Sequence, residues 1–274
     1  MPLGELVGRG RTADVHVWDE GRVIKLFHAD APEAWCHAEA DKSRLAYALG
    51  LPSPETGDCL QIGGRWGIVF ERIDGPTLLN ATLRAPWRMA RYARMLSDVQ
   101  VANHRRRCAN LPSLRENLDG GIRSAPLLDA GVKMALLEDL SELPDDDVVC
   151  HSDVHPDNII LAERGPILID WLTAKRGHPL ADVARTIMLL RYGAMIDASP
   201  FVERASRLVR ELQLVVYLRR YRRSLPATRA DLSRWMPIVC AARLNENVPL
   251  AEKQRLVRLI DRHCLRRQDE RSTP

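Results

Sequence analysis

The stretch from Val148 to Trp171 places several polar side chains at spacings that few folds can use. It reads VVCHSDVHPDNIILAERGPILIDW, in which a polar loop precedes two short apolar runs joined by a Gly-containing turn. Two β-rich runs joined in this way are typical of a hairpin. The hairpin would bring Asn158, just before the first run, beside Asp170, just after the second. The chain is therefore expected to deliver an amide oxygen and a carboxylate to one place.

An amide oxygen and a carboxylate at one place suit the transfer of a phosphoryl group from a nucleotide. Negative charge spreads over the phosphoryl oxygens in that reaction, so a protein supplies mainly metal ligands, positioning and a carboxylate facing the acceptor hydroxyl. Mg²⁺ takes oxygen ligands, often only one or two from the protein, so Asn158 and Asp170 would be enough. Asp153, five residues before Asn158, would orient the acceptor hydroxyl and take its proton.

The segments HSDVHPDN and ILIDW resemble the two hallmark segments of the aminoglycoside phosphotransferase and choline kinase family, which are small-molecule kinases. The protein-kinase catalytic loop shares the skeleton of H-x-D, four residues and Asn. His155 and Trp171 favour the small-molecule branch over ordinary protein kinases. The resemblance extends over residues 6–265 and is strongest between Val149 and Ala184.

The resemblance implies an α+β, bilobal, protein-kinase-like fold. A small N-terminal lobe over residues 1–74, an antiparallel β-sheet with one helix, would bind the nucleotide. A hinge near residues 71–76 would lead to a larger, mainly helical lobe over residues 75–274, which would carry the catalytic loop and the acceptor site. Strands are predicted in the first lobe and long helices after residue 77, including helices over 87–104, 127–143, 200–223, 229–245 and 249–266.

The first lobe carries residues that the resemblance assigns to the nucleotide. The segment from Leu6 reads as strand, Gly-rich turn, strand and resembles the loop that covers phosphates in kinases, with Gly8, Gly10, Ala13 and Val15 at its pattern positions. Glycines there let backbone N–H groups approach phosphate oxygens. The junction after the last strand resembles the kinase hinge, whose backbone would read the adenine edge at Glu71 and Ile73.

Lys25 lies between apolar residues of the predicted strand Arg22–Phe27. A half-buried lysine needs an anionic partner, and in the kinase pattern it holds the α- and β-phosphates. An edge-strand lysine facing solvent is the alternative. Glu33 and Glu39, on a helix predicted to begin after Pro32, could both pair with it, and the resemblance favours Glu39.

Three residues are expected to support the catalytic loop. His151 is interpreted as structural, and His155 is left between loop packing and a supporting role. Asp182 stands in a segment that resembles the family pattern G-x-P-x-x-D-x-A, where it would accept hydrogen bonds from the loop backbone. For the acceptor site the candidates are His178, which stands where the family frequently carries Asp, and the pair Arg243 and Glu246, with exposed helix-end residues as the alternative for that pair.

Composition limits the partners and the compartment. No apolar run approaches the roughly 20 residues of a membrane span, and the N-terminal sequence lacks the features of a signal peptide. The six cysteines form no C-x-x-C pair, which fits reduced thiols in the cytoplasm. Residues 203–274 carry 17 Lys or Arg against 8 Asp or Glu, a net charge of +9. We interpret this as solvated helix faces; nucleic acid is not an expected partner, because no recognised motif accompanies the charge.

Together these features predict an enzyme that moves the γ-phosphate of ATP or GTP to a hydroxyl of a small molecule, with Mg²⁺ and Asp153. A non-catalytic, kinase-fold nucleotide-binding regulator is the alternative, and a metal-dependent hydrolase with His-bound zinc is a further one. The basic final third favours a neutral or anionic acceptor. A choline-type acceptor would need an aromatic cage, for which the late helices offer Tyr217, Tyr221 and Trp235. The sequence predicts no oligomeric state.

Overall fold

The computed structural model describes residues 3–193 and 200–272, and its internal contacts divide the chain into two compact units. The first unit holds the chain up to Pro86 together with Pro156–Ala174, and the second holds Trp87–His155 and the chain from Lys175 onward. The lobe boundary near residue 74 stays a prediction.

The structure contains both strands and helices, as expected for the α+β class. The strands are β1 Leu6–Arg9, β2 Ala13–Asp19, β3 Arg22–Phe27, β4 Thr56–Ile62, β5 Arg65–Glu71, β6 Val148–Cys150, β7 Ile159–Ala162, β8 Gly165–Leu168 and β9 Lys175–Gly177. The α-helices are α1 Glu33–Ala48, α2 Leu78–Arg84, α3 Met89–His104, α4 Leu114–Ser124, α5 Ala130–Glu142, α6 Pro179–Tyr192, α7 Pro200–Ser224, α8 Arg229–Arg243 and α9 Leu250–Ser272.

The first unit is built on a five-stranded antiparallel sheet in the order β1-β2-β3-β5-β4. Gly63 and Gly64 join β4 to β5 with φ values of 57° and 79°, because a two-residue hairpin turn that matches the strand twist needs positive φ at both positions. Helix α1 packs on the sheet, with Cys36 and Ala40 in one hydrophobic cluster with Phe27. Strand β3 therefore lies between β2 and β5 in the sheet, and residues of β3 face α1.

The predicted hairpin is present in the first unit as β7 and β8. Its strands pair antiparallel, with Ile159 opposite Leu168 and Ala162 opposite Gly165. Gly75 lies against this hairpin at φ 147°, and a Cβ there would meet the Leu161 carbonyl oxygen at 2.2 Å. Only glycine fits that close backbone approach.

The second unit is mainly helical. Helix α3 packs on α7, and α8 packs on α4, α5, α6 and α9. The buried side chains between them include Leu96, Ile122, Leu136, Tyr217 and Ile238. Strands β6 and β9 form a short antiparallel pair, with Val148 opposite Gly177, at the base of the loop that carries Asp153. In the two described ranges of the chain, no helix has the length and hydrophobicity that crossing a membrane requires.

Helix α4 was not predicted. Ser113 caps its first turn by accepting a hydrogen bond from the Glu116 N–H at 3.2 Å, and its leucines and isoleucine at helical spacing are buried. Gly120 and Gly121 break the helical pattern in the sequence, since glycine is a poor helix former. The structure gives Gly121 a reason, because a Cβ there would meet the Cβ of Ala242 on α8 at 2.8 Å.

Four predicted helix boundaries were also wrong by two residues or more, and one of them is the end of α8, at Arg243 rather than residue 245. Helix α3 begins at Met89 rather than residue 87, and α5 begins at Ala130, where the Asp129 side chain accepts from the Val132 N–H at 2.8 Å. Helix α9 continues to Ser272, six residues beyond the predicted end. Its last residues include Arg, Gln and Glu, which have good helix propensity.

Candidate active site

The Lys25 ammonium group lies between two carboxylates of the first unit. Its Nζ donates to Glu39 Oε1 and Oε2 at 2.7 and 2.8 Å and to Asp170 Oδ1 at 3.0 Å. Because β3 is an inner strand, the alternative of an edge-strand lysine facing solvent is wrong. Of the two carboxylates that the sequence offered, Glu39 makes the contact, whereas Glu33 is exposed and faces His37.

Burial and charge act in opposite directions on this group. Burial lowers the pKa of Lys25, but the charges and hydrogen bonds of Glu39 and Asp170 outweigh it and hold the pKa above its ordinary value. Burial raises the pKa of Glu39 to about 7, against the opposing pull of Lys25. The Glu39 carboxylate is 1% exposed and the Asp170 carboxylate 39% exposed. Glu39 is thus the buried anchor, and the side of Lys25 towards Asp170 is the accessible one.

Asn158 and Asp170 lie at the two ends of the β7–β8 hairpin, as the sequence predicted. The Ile169 N–H donates to the Asn158 carbonyl oxygen at 2.9 Å, so the two candidate metal ligands come from neighbouring backbone. Asp170 has φ 65°, a left-handed conformation that Asp tolerates better than most residues. A carboxylate and an amide oxygen form a donor set that suits Mg²⁺, and the partly exposed Asp170 side chain leaves room for ligands from solvent or substrate.

The Gly-rich turn joins β1 to β2. Gly8 lies opposite Val15 and the Gly10 N–H donates to the Ala13 carbonyl oxygen at 2.8 Å. A Cβ on Gly10 would meet that same oxygen at 3.1 Å, whereas one on Gly8 would make only an ordinary contact. The structure therefore explains Gly10 by close approach and gives no steric reason for Gly8.

The predicted hinge follows β5. The Glu71 N–H donates to the Glu55 carbonyl oxygen at 2.9 Å, and its carboxylate binds the Arg164 guanidinium, with Arg164 Nη2 2.7 Å from Oε2. Arg164 holds the pKa of Glu71 below its ordinary range. Ile73 lies two residues beyond the strand. These contacts fix the backbone of the segment, and its role in base recognition stays a prediction.

Asp153 belongs to the second unit and lies beside Arg185 and His155. His155 Nε2 lies 3.5 Å from its Oδ2, and Arg185 Nη2 lies 3.7 Å from its Oδ1. Burial alone would raise the pKa of Asp153, but His155, Arg185 and His151 together hold it well below its usual range. The carboxylate is therefore ionised at neutral pH, as a proton acceptor must be.

Asp182 holds the backbone of this loop. Its Oδ1 accepts from the Ser152 N–H at 2.7 Å, and its Oδ2 accepts from Gln100 Nε2 at 2.9 Å and contacts His104 Nε2 at 3.0 Å. Ser152 has φ 63°. This left-handed backbone conformation costs about 1–3 kcal/mol and persists only where the surrounding contacts hold it. The contact expected between Asp182 and the loop backbone is present. His151, also predicted to be structural, is fully buried.

The three acceptor-site candidates do not all come together. His178 caps α6 by accepting from the Leu180 N–H at 3.3 Å and stacks on Trp235, with ring centroids 5.4 Å apart. Those contacts place it in the wall of a cavity of about 540 Å³ whose lining does not include Asp153. Arg185 Nη1 donates to Glu246 Oε1 at 2.6 Å, so Glu246 is linked to Asp153 through one guanidinium.

Arg243 is buried rather than exposed at a helix end. Its Nε lies 3.1 Å from Glu252 Oε1, and its Nη1 binds Glu246. The interpretation of this residue as an exposed helix-end side chain was therefore wrong. The physical reason is that α9 packs on α8, which places Glu252 of α9 against the Arg243 guanidinium.

The zinc hydrolase alternative finds no matching geometry. Within the described chain, the group of three His, Cys, Asp or Glu side chains that could converge on a metal is His104, Cys150 and Asp182, with ligand atoms within 4.8 Å. Its members are already engaged, because both His104 nitrogens contact Tyr221 or Asp182 and burial raises the pKa of the Cys150 thiol well above its ordinary value. We interpret this group as structural.

Sequence reasoning missed Arg185 and Thr186. Thr186 Oγ1 donates to the Val154 carbonyl oxygen at 3.0 Å, so both residues contact the loop that carries Asp153. A signal was available, because both lie within four residues of Asp182 and therefore share its helix face. An arginine on a predicted buried face also requires a carboxylate partner.

Comparison with known proteins gives one family and a set of related folds. A family model described as the phosphotransferase enzyme family matches residues 5–230. The aminoglycoside-3'-phosphotransferase of type VIII aligns with a TM-score of 0.64 and 19% identity, covering 88% of this chain and 94% of that one. A thermostable mutant of aminoglycoside phosphotransferase APH(4)-Ia, in ternary complex with AMP-PNP and hygromycin B, gives 0.65 and 16%, covering 94% and 91%.

A choline/ethanolamine kinase family protein from Mesorhizobium loti gives a TM-score of 0.58 and 17% identity, covering 95% of this chain and 88% of that one. A search of curated proteins found no match. Identities this low establish the fold alone, and the predicted α+β, protein-kinase-like fold is confirmed.

Proposed function

Because the chain belongs to the phosphotransferase enzyme family, we propose that it transfers the γ-phosphate of ATP or GTP to a hydroxyl of a small molecule. Family and fold support a small-molecule phosphotransferase, and the donor, the metal and the residue roles are proposals. The observation that carries them is the Lys25 group, in which buried Glu39 holds a cation whose other partner is an accessible carboxylate, Asp170.

On the donor side, Lys25 binds the phosphates and Glu39 keeps its ammonium in place. Positive charge and backbone N–H groups favour phosphate oxygens, so the hairpin turn with Gly8, Gly10, Ala13 and Val15 would cover them. The backbone at Glu71 and Ile73 would read the base. The APH(4)-Ia complex with AMP-PNP supports a nucleotide as the donor.

Asn158 and Asp170 would hold Mg²⁺, which supplies charge neutralisation on the phosphate oxygens when it is bound. The fit rests on the donor chemistry and on the backbone hydrogen bond from Ile169, the residue before Asp170, to Asn158. Asp170 contacts Lys25 at one oxygen, Oδ1. Bound nucleotide phosphates would replace Asp170 as a partner of Lys25, and the Asp170 carboxylate would then be available to Mg²⁺.

Asp153 would accept the proton of the acceptor hydroxyl. Arg185 and the neighbouring histidines hold the pKa of Asp153 well below its usual range, so the carboxylate is ionised before the acceptor binds. His155 and Arg185 would also restrict the rotation of the Asp153 carboxylate. This favours one direction from which the acceptor hydroxyl attacks the phosphate.

The acceptor is proposed to be neutral or anionic. Aminoglycosides are polycations, and APH(4)-Ia binds hygromycin B, but here the described carboxylates around Asp153 are countered by arginines, as Glu246 is by Arg185. A choline-type cage from Tyr217, Tyr221 and Trp235 is not supported, because Tyr217 is fully buried and does not line the cavity that Tyr221 and Trp235 share with His178.

Lys25→Ala should weaken nucleotide binding by about tenfold to a hundredfold, since a charge-assisted hydrogen bond contributes roughly 1.5–3 kcal/mol. Isothermal titration calorimetry with the Mg²⁺-nucleotide measures the loss. Lys42→Ala is the matched control, because Lys42 lies on α1 and donates to the Leu172 carbonyl oxygen at 2.5 Å. Equal affinities in the parent and Lys25→Ala proteins would refute the assignment.

Asp170→Ala should lower the Mg²⁺-dependent part of nucleotide affinity by at least about tenfold, because it removes a charged oxygen ligand. Nucleotide titrations with Mg²⁺ and with a chelator separate that part from the rest. Asp41→Ala, which removes an exposed carboxylate of the same unit, should leave the Mg²⁺ dependence unchanged. A Mg²⁺ dependence that survives in Asp170→Ala contradicts the ligand role.

The test of the function is a radiolabelled γ-phosphate transfer screen with ATP and GTP over sugars, amino alcohols, nucleosides, phosphorylated metabolites and aminoglycosides. Transfer to a hydroxyl that disappears in Asp153→Asn supports the proposal. Tight nucleotide binding without transfer or hydrolysis would instead indicate the regulator. Zinc-dependent hydrolysis without transfer would indicate the hydrolase.

A further inference from the structure

Two side chains of helix α6 form hydrogen bonds with the backbone of the loop that carries Asp153. Asp182 accepts from the Ser152 N–H at 2.7 Å, and Thr186 donates to the Val154 carbonyl oxygen at 3.0 Å. The two helix residues are four apart and therefore lie on one face. The backbone is thus fixed immediately before and after Asp153.

Arg185 lies on the same face and contacts the Asp153 side chain itself. Its own side chain is 13% exposed, with Nη2 3.7 Å from Asp153 Oδ1 and Nη1 2.6 Å from Glu246 Oε1. Arg243 binds Glu246 as well. The guanidinium is therefore anchored on one side by the turn between α8 and α9 and faces Asp153 on the other.

The charged groups around Asp153 differ in what they can do. His155 and His151 belong to its own loop and are cationic only when protonated. Glu246 carries a like charge and lies behind Arg185. Arg185 comes from another element and keeps its charge at every accessible pH, so it is a permanent counter-charge of Asp153.

We propose that Arg185 is a positioning residue for Asp153, which fixes the direction of its carboxylate and balances its charge, and that Glu246 fixes Arg185. This inference rests on the proposed function, in which Asp153 is the base. It gives Glu246 the role of an anchor for Arg185.

Arg185→Gln should lower kcat about a hundredfold, which is the effect of misplacing a reacting group by about 1 Å, and should leave the nucleotide KM unchanged. Arg185→Lys should recover part of the loss, because lysine keeps the charge but lacks the planar fork. Arg191→Gln is the matched control, since it breaks an ion pair of the same helix, to Glu211 at 2.8 Å. An equal loss of kcat in the control would overturn the inference.

A second readout separates positioning from structural damage. Carbon-13 NMR of the carboxyl groups, with the Asp153 signal assigned by its absence in Asp153→Asn, follows the titration of that residue directly. Arg185→Gln should move the midpoint to higher pH, whereas lost packing alone would lower the unfolding temperature and leave the midpoint in place. An unmoved midpoint in a folded Arg185→Gln protein overturns the inference.

Glu246→Ala keeps the test decisive if Arg185→Gln does not fold. It removes the anchor and retains the arginine, so kcat should fall while Asp153 stays ionised, and an unchanged kcat would overturn the inference. The titration needs no acceptor. A protein that transfers no phosphate but shows an Arg185-dependent midpoint would therefore refute the proposed function and support the contact between Arg185 and Asp153. A protein that transfers phosphate but shows no such dependence would support the proposed function and refute the role of Arg185.

Discussion

Asp153→Asn should lower phosphoryl transfer by about 10²–10⁴-fold, the range for loss of a general base, and should leave nucleotide binding unchanged. The substitution keeps the shape of the side chain but removes the negative charge and the ability to accept a proton. Asp153 lies in the second unit, whereas the Lys25 group proposed for the nucleotide lies in the first. The effect should therefore appear in kcat and not in the dissociation constant of the nucleotide.

The measurement is a steady-state transfer assay with the acceptor found in the screen, together with calorimetric nucleotide titration of the same preparation. Asp157→Asn is the control, because Asp157 belongs to the same loop and is exposed. A fully active Asp153→Asn enzyme would contradict the role of Asp153. A variant that also loses nucleotide affinity would show that the substitution disturbed more than the base.

Much of the fold could be predicted because local pattern specified it. The strand pairs around Gly63-Gly64 and the β7–β8 hairpin follow from turn residues and alternation. The pairing of Lys25 with Glu39 was expected only through the family resemblance, since Glu33 lies on the same helix and carries the same charge. Local sequence sets where an element lies and leaves open which of two similar side chains makes a distant contact.

The acceptor side could not be predicted in the same way. Arg185 pairs with Glu246, 61 residues further along the chain, because α6 meets the turn between α8 and α9. Arg243 pairs with Glu246 and Glu252, which are only three and nine residues away, but its burial depends on the packing of α9 on α8. Helix α4 was missed for a similar reason, because Gly121 is explained only by the close approach of Ala242 on α8. Tertiary contacts determine these features, and the hydrophobic periodicity of a single sequence does not show which helices meet.

Asp182→Ala should lower the free energy of unfolding by about 3–5 kcal/mol, the cost of breaking a buried charged network. The substitution leaves the Ser152 N–H, Gln100 Nε2 and His104 Nε2 without their acceptor in a buried site. Each unsatisfied donor costs about 1–3 kcal/mol. Chemical denaturation measures the loss, and transfer activity should fall with it, because Ser152 loses the contact that holds its positive φ.

Asp139→Ala is the matched control for Asp182→Ala. Like Asp182, Asp139 pairs with a histidine of the second unit, His263 at 3.0 Å. It also pairs with Arg267 at 2.9 Å. Its loss should reduce stability and leave the transfer rate of the folded protein unchanged. If both variants lose activity in proportion to stability, Asp182 has only a general structural role.

The pH dependence of the Asp182 contribution has a definite sign. Burial raises the pKa of this carboxyl, but hydrogen bonds from His104 and Gln100 outweigh it and leave the pKa below its ordinary value. A depressed folded-state pKa adds stability above the unfolded-state pKa of about 3.9, and that stability is lost as the pH falls through the folded value. The difference in unfolding free energy between the parent and Asp182→Asn should therefore be largest near neutrality and shrink below about pH 4. A difference that grows on acidification would mean that the buried carboxyl is held protonated, and Asp182 could not then accept the Ser152 N–H as an ion.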